Sequence, residues 1–216
     1  MPADHAPRIT RITRRSRGRA DVATDDGETL ALRAETVARA SLVEGALLDA
    51  TSLAQIDEEE QRVAAHEGAL RLLSHRARSE RELAGKLRMR GLTPAVIDHE
   101  IARLRNAGLL DDDAFARSWV QDRATLAPRG RRLLRQELRG RGVAAEIIES
   151  ATEGTDDGET ALALARQRAP RLSGLDFEAF RKRLAGFLGR RGIGYGEIAE
   201  ATRIVWEEVS AEAEGD

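Results

Sequence analysis

The chemistry this sequence is equipped for is the holding of anions by guanidinium groups. Of its 35 basic residues 33 are Arg, and the stretch Arg129–Ala144, RGRRLLRQELRGRGVA, concentrates them on one short segment of a chain whose formal net charge is only −2. An Arg fork stays charged at any physiological pH and matches carboxylate or phosphate oxygens, so such a segment suits an acidic protein surface or a nucleic-acid backbone. Other chemistries find no support. There is no Cys, which removes disulfides, thiolate nucleophiles and thiolate metal sites and suits a reducing compartment. The four His (His5, His66, His75, His99) lack metal-ligand spacing, no Gly loop with Lys-Ser/Thr is present to cradle phosphate, and aromatics are too few for base-stacking platforms. Asp111-Asp112-Asp113 reads as helix capping rather than a metal site, because Asp at a helix start satisfies free N–H groups and complements the dipole. No enzyme activity and no cofactor are expected.

The cationic positions follow a register. Taking Gly91, Gly142 and Gly192 each as zero, position −10 holds Arg81, Arg132 and Lys182, and position −3 holds Arg88, Arg139 and, breaking the pattern, Gly189. Seven residues apart is nearly the same helix face, and −10 lies roughly 200° around from the Leu at −8. The stripe therefore faces away from the core. Arg78, Lys86, Arg90, Arg129, Arg131, Arg135, Arg141, Arg190 and Arg191 thicken it, and all of these are candidate partner- or DNA-binding residues.

The elements that must position this charge recur. Arg90-Gly91-Leu92, Arg141-Gly142-Val143 and Arg191-Gly192-Ile193 follow one another at intervals of 51 and 50 residues, each with Leu four and eight positions before the Gly and Ile six after it. Leu at i and i+4 makes an apolar helix stripe, the Gly stops the helix in a left-handed conformation, and a second helix follows. A further helix precedes each pair: GALRLLSHRA, DDDAFARSWVQDRA and DDGETALALARQRA. Thr93-Pro94 marks the start of one helix, with Thr as N-cap, and Phe115, Trp119, Phe180, Phe187 and Trp206 fall at core spacing.

Upstream, RADVATDDGETLALRA predicts a hairpin around Asp25-Asp26-Gly27 with Val22 opposite Leu30 and Ala20 opposite Leu32, extended by a strand from about Arg8 to Arg14. The acidic run Asp57-Glu58-Glu59-Glu60 is expected to open the helix leading into the repeats. The predicted fold is mainly α: three tandem three-helix repeats in an elongated curved array behind a small β-hairpin module. Module boundaries are expected at 1–55, 56–110, 111–155 and 156–216. Charge is segregated, with six Arg against one acid in residues 1–20, three bases against eleven acids in 21–66, seventeen against twelve in 67–150 and nine against thirteen in 151–216. Arg14-Arg15 is followed by no apolar segment, so neither secretion nor membrane insertion is expected and a cytoplasmic location is. Without a heptad seam, a monomer is expected.

RARSERELAGKLRMRGLTPAVIDHEIARLRNAGLLDDDAFARSWVQDR, PRGRRLLRQELRGRGVAAEIIESA and FEAFRKRLAGFLGRRGIGYGEIAEATRIVWEEV closely resemble the three tandem repeats of the RecX family, and ITRITRRSRGRADVATDDGETLALRAETVARASLVEGALL resembles that family's hairpin-bearing leader. The resemblance implies a non-enzymatic modulator of the RecA recombinase. Such a protein binds the RecA filament on single-stranded DNA, restrains its ATPase, strand-exchange and co-protease activities, and touches single-stranded DNA weakly and directly. From another class comes a helix-turn-helix DNA-binding transcriptional regulator; against it, no single helix gathers a base-reading cluster on its N-terminal turn.

Overall fold

The structure, a computed structural model, describes residues 6–215; His5 lies outside them. Three strands, β1 (Ile9–Arg14), β2 (Arg19–Thr24) and β3 (Thr29–Arg33), form an antiparallel sheet in the order β1-β2-β3. The β2–β3 hairpin has the expected register, with Ala20 paired to Leu32 and Val22 to Leu30, and Gly27 at φ 88° closes its loop. That register puts Val22 and Leu32 on one face, where they join Ile9, Leu48 and Ile56 in a small core.

So small a sheet needs a platform. Helices α1 (Ala34–Arg39) and α2 (Ala50–His75) provide it. Here the expectation for the acidic run is corrected: α2 starts seven residues before Asp57, at Ala50, where the Asp49 carboxylate caps it by accepting the Ser52 N–H at 2.7 Å. The run is mid-helix, and Glu60 is turned to tertiary use. It accepts the Arg33 N–H at 2.9 Å and the Thr36 hydroxyl at 2.6 Å, and it pairs with the Arg33 guanidinium at 2.5 Å.

The rest is helical, in three helix triplets. The first comprises the C-terminal half of α2, α3 (Glu80–Arg88) and α4 (Pro94–Asn106); the second α5 (Asp112–Leu126), α6 (Arg131–Gly140) and α7 (Ala145–Thr152); the third α8 (Asp157–Arg168), α9 (Phe177–Arg190) and α10 (Tyr195–Gly215). Pro170 sits in a 3₁₀ turn after α8. By packing, the chain divides into two compact units. One runs to Ala77 and resumes at Leu83–Leu110; the other takes in Arg78–Glu82 and everything from Asp111 onward.

The paired leucines of each middle helix, Leu83 and Leu87, Leu134 and Leu138, Leu184 and Leu188, are all buried, each contributing roughly 2 kcal/mol. Gly91, Gly142 and Gly192 stand at φ 81°, 79° and 87°, the left-handed conformation that a non-Gly residue adopts only at a cost. At the second, the Val143 N–H reaches back to the Leu138 carbonyl, completing the helix stop. Thr93 occupies the N-cap position of α4 with Pro94 behind it, but its hydroxyl makes no capping bond. Phe115 and Phe180 are buried, and Trp119, Phe187 and Trp206 pack half-buried against the cores of their triplets.

Candidate functional site: the basic helices and the joints that aim them

Helix α6 sorts its charge. Arg129 pairs with Glu137, which also accepts the Trp119 indole N–H at 2.9 Å and the Arg123 Nε–H at 3.0 Å. Arg131 donates to the Glu153 and Thr155 carbonyls, and Arg135 to Glu149 and the Thr152 hydroxyl. Arg141 pairs with Glu82 at 2.6 Å while its guanidinium lies 3.8 Å from the Trp119 ring centre, opposed by Arg123 at 4.1 Å. Four of the six basic side chains on this stretch are thus consumed by the fold. Arg132 and Arg139, the −10 and −3 positions, are exposed. The Arg139 guanidinium makes no hydrogen bond or ion pair among the described residues, and the Arg132 guanidinium makes only a long contact, 3.4 Å, to the Gly189 carbonyl. Where the stripe breaks at Gly189, the preceding triplet's Arg132 therefore comes to rest.

The same division runs through the other candidates. Arg81, Lys86, Arg88, Lys182 and Arg190 are exposed. Arg191 is half-buried, donating to the Pro128 carbonyl and lying against the Phe187 ring. Arg90 is exposed, but a side chain added at buried Gly68 would strike its guanidinium. Residues just before the turn glycine thus lean inward in every triplet. Arg78 is half-buried beside the start of α3 and carries interactions of its own.

What aims the outward charges is a joint that occurs twice in the second unit. At the first, the Ser79 hydroxyl donates to the Arg141 carbonyl at 2.5 Å, and the Glu80 N–H donates to Asp112 Oδ1 at 2.8 Å. At the second, the Gly130 N–H donates to the Arg191 carbonyl at 2.8 Å, and the Arg131 N–H to Asp157 Oδ1 at 2.7 Å. The start of one middle helix is therefore pinned to the turn that ends the next, and a carboxylate from the intervening helix caps it. The paired aspartates divide the labour. Asp111 and Asp156 cap their own helices, accepting from Ala114 and Glu159, while Asp112 and Asp157 cap a neighbour. The stem of Arg81 lies over Gly142, so that Arg81 and the turn bearing Arg139 come together. Sequence reasoning misses Ser79 and Gly130; their signal is the shared position, twelve residues before the turn glycine.

Electrostatics is most settled at Glu60. Burial alone would raise its pKa, but the Arg33 N–H, the Thr36 hydroxyl and the Arg33 and Arg19 guanidiniums outweigh that and hold it below the usual carboxylate value. At the far end, Glu208 is lowered first by the hydrogen bond from Arg166.

Comparison with known proteins places this architecture. The family models for the first, second and third three-helix domains of RecX match residues 65–104, 111–151 and 155–202. The chain belongs to the RecX family. Among curated RecX relatives, "Regulatory protein RecX" of Mycobacterium sp. (strain KMS) is 43% identical over 136 residues, 59% of this chain and 74% of that protein. Its namesake from Streptomyces lividans is 35% identical over 148 residues, 67% of this chain and 79% of that one. A solved structure titled as regulatory protein RecX superimposes with a TM-score of 0.70 at 22% identity, covering 91% of this chain and 99% of that chain; RecX from Lactobacillus salivarius gives 0.61 at 23%, covering 66% and 95%. The likeness to these structures bears out the mainly helical RecX fold, with its three three-helix domains and small antiparallel sheet. Among the described residues no helix is long and apolar enough to cross a membrane.

Proposed function

We propose that this RecX-family chain is a non-enzymatic regulator that binds the RecA filament on single-stranded DNA and inhibits its ATPase, strand-exchange and co-protease activities, acting as a cytoplasmic monomer built of the four modules given above. The observation that carries the reading is the sorting of charge on the middle helices. Arginines that could have been neutralised internally are neutralised, while Arg81, Arg88, Arg132, Arg139 and Lys182 at the −10 and −3 positions stay exposed. Cations left in water at repeated positions suit a partner that presents acidic side chains or phosphates. Arg129, Arg131, Arg135, Arg141 and Arg191 then serve by holding the helices, and Lys86, Arg190 and Arg90 border the contact.

The test compares binding to bare single-stranded DNA and to RecA-coated strand by anisotropy across a salt series. Affinity resting on phosphates alone falls with a slope of about −0.7 per contact on single strands. Filament binding is expected to be tighter and shallower in salt, because protein contacts add a part that screening does not remove. Equal affinity and slope for both would overturn the reading in favour of a DNA-binding regulator.

A further inference from the structure

The third triplet carries a second surface of opposite sign. Between α8 and α10 lies a cavity of about 510 Å³ whose floor is Leu162, Ala201 and Ile204 and whose rim carries Glu159, Glu197 and Glu200. The Glu159 and Glu197 carboxylates make no hydrogen bond or ion pair among the described residues, whereas Glu200 pairs with Arg203 at 2.7 Å. An adjoining cavity of about 420 Å³ continues past Glu197 to Glu153, Asp156 and Asp157, with one cation on its wall, Arg131, which is engaged by the Glu153 and Thr155 carbonyls. Counted from the capping Asp and the joint Gly, the matching positions of the second triplet hold Arg117 for Leu162, Ala114 for Glu159, Ile147 for Glu197 and Gly154 for Ile204. An apolar floor with an acidic rim is therefore a property of the third triplet and not of the repeat.

The geometry points to a docking groove for a basic amphipathic helix of another protein. A trough between two helices receives a third when aliphatic anchors at i, i+3 and i+4 fill its floor, and here the rim selects Lys or Arg on the flanks of such a helix. Nucleic acid is a poor occupant, since its phosphates would meet carboxylates. A second copy of this chain is a poor one too. Its basic helices α3, α6 and α9 already bury their leucines, so none offers cations and a free apolar stripe together. This inference stands independently of the filament reading, because it uses none of the outward arginines.

The experiment uses the full chain and a fluorescein-labelled helical peptide with Leu at i, i+3, i+4 and i+7 and Lys elsewhere, beside a counterpart with Glu in place of Lys. The Lys peptide is expected to bind and the Glu peptide not to. Glu159→Lys with Glu197→Lys should weaken the Lys peptide roughly tenfold or more, and Leu162→Asp should do the same through the floor. Asp98→Lys, which reverses an exposed carboxylate of α4 outside the groove's lining, serves as a control that leaves peptide affinity unchanged, with circular dichroism confirming helical content throughout. Unchanged affinity in both groove variants, or equal binding of the two peptides, overturns the proposal. So does sedimentation showing that the parent self-associates and the Leu162→Asp variant does not, which would make a second copy the occupant.

Discussion

Gly91 and Gly142 have the same φ to within two degrees, yet they are under different constraints. Around Gly91 a side chain would meet nothing within 4 Å. At Gly142 a Cβ would fall 2.6 Å from the Arg81 Cβ and 2.7 Å from its Cγ, and at Gly192 it would fall 2.9 Å from the backbone nitrogen of Leu133. The first glycine answers only to its own helix stop, whereas the other two must also admit the start of the preceding middle helix. A turn that reads identically in all three triplets is thus a conformational device once and a packing device twice.

The largest effects should come from breaking that distinction. Gly91→Ala is expected to cost roughly 1–2 kcal/mol for the left-handed conformation alone. Gly192→Ala should cost at least about 2 kcal/mol more, because the clash is with backbone that cannot move without dragging α6. Gly142→Ala should fall between them, since part of its obstacle is the flexible stem of Arg81. Urea titrations of the three variants measure the order, and equal losses would mean the joints do not press on their glycines.

The same joints predict a middle tier. Arg141→Ala removes the ion pair with Glu82 and the stack on Trp119, so a loss of about 1–2 kcal/mol is expected. Asp157→Ala leaves the Arg131 N–H uncapped and should cost about 1 kcal/mol, whereas Asp113→Ala, at an exposed position, should cost a few tenths at most. Thermal melts that ranked Asp113 above Asp157 would reverse the division of labour among the aspartates.

The helix stops, the buried leucine pairs and the hairpin register are legible in the sequence because each is written in a local period: Gly after Leu at i and i+4, or alternation across a Gly turn. The joints are not legible. Ser79 and Gly130 do one job with different chemistry, a hydroxyl in one place and a backbone N–H in the other, so residue identity hides the equivalence. Asp112 and Asp157 each stand beside an aspartate that caps its own helix, and nothing local says which of the two looks outward. The acidic run at Asp57–Glu60 misleads for a related reason, since acids at a helix start and acids recruited by a sheet look the same in one dimension. The candidate basic residues are visible as a class, but which of them are already engaged depends on which carboxylates fold against them: Glu137 on α6 itself, Glu82 on α3 and Glu149 on α7.

A smaller effect concerns the β module and pH. Because the folded-state pKa of Glu60 lies below its unfolded value, its contribution is fully present above the usual carboxylate pKa and is lost as pH falls through the lowered folded value. Glu60→Gln should therefore be less stable than the parent at neutral pH, and the two should converge in acid only once the pH has fallen below the lowered folded-state value. A difference that persisted unchanged into acid would mean that the amide's packing, not the charge, sets the loss.

The smallest expected change in stability belongs to the residues proposed to matter most for binding. Arg139 stands two residues from Arg141 but its side chain is exposed, and Arg132 reaches only a carbonyl at 3.4 Å. Arg132→Glu combined with Arg139→Glu should shift stability by about 0.5 kcal/mol or less, as exposed substitutions do. Inhibition of the RecA ATPase should nevertheless weaken, because two cations become two anions on the surface offered to an anionic partner. Set beside Arg141→Ala, this pair sharpens the contrast within one helix: the inward arginine should be felt in the melt, the outward ones in the assay. If the double variant melts normally and inhibits like the parent, the exposed stripe is a solvated face and the filament contact must be sought elsewhere on the chain.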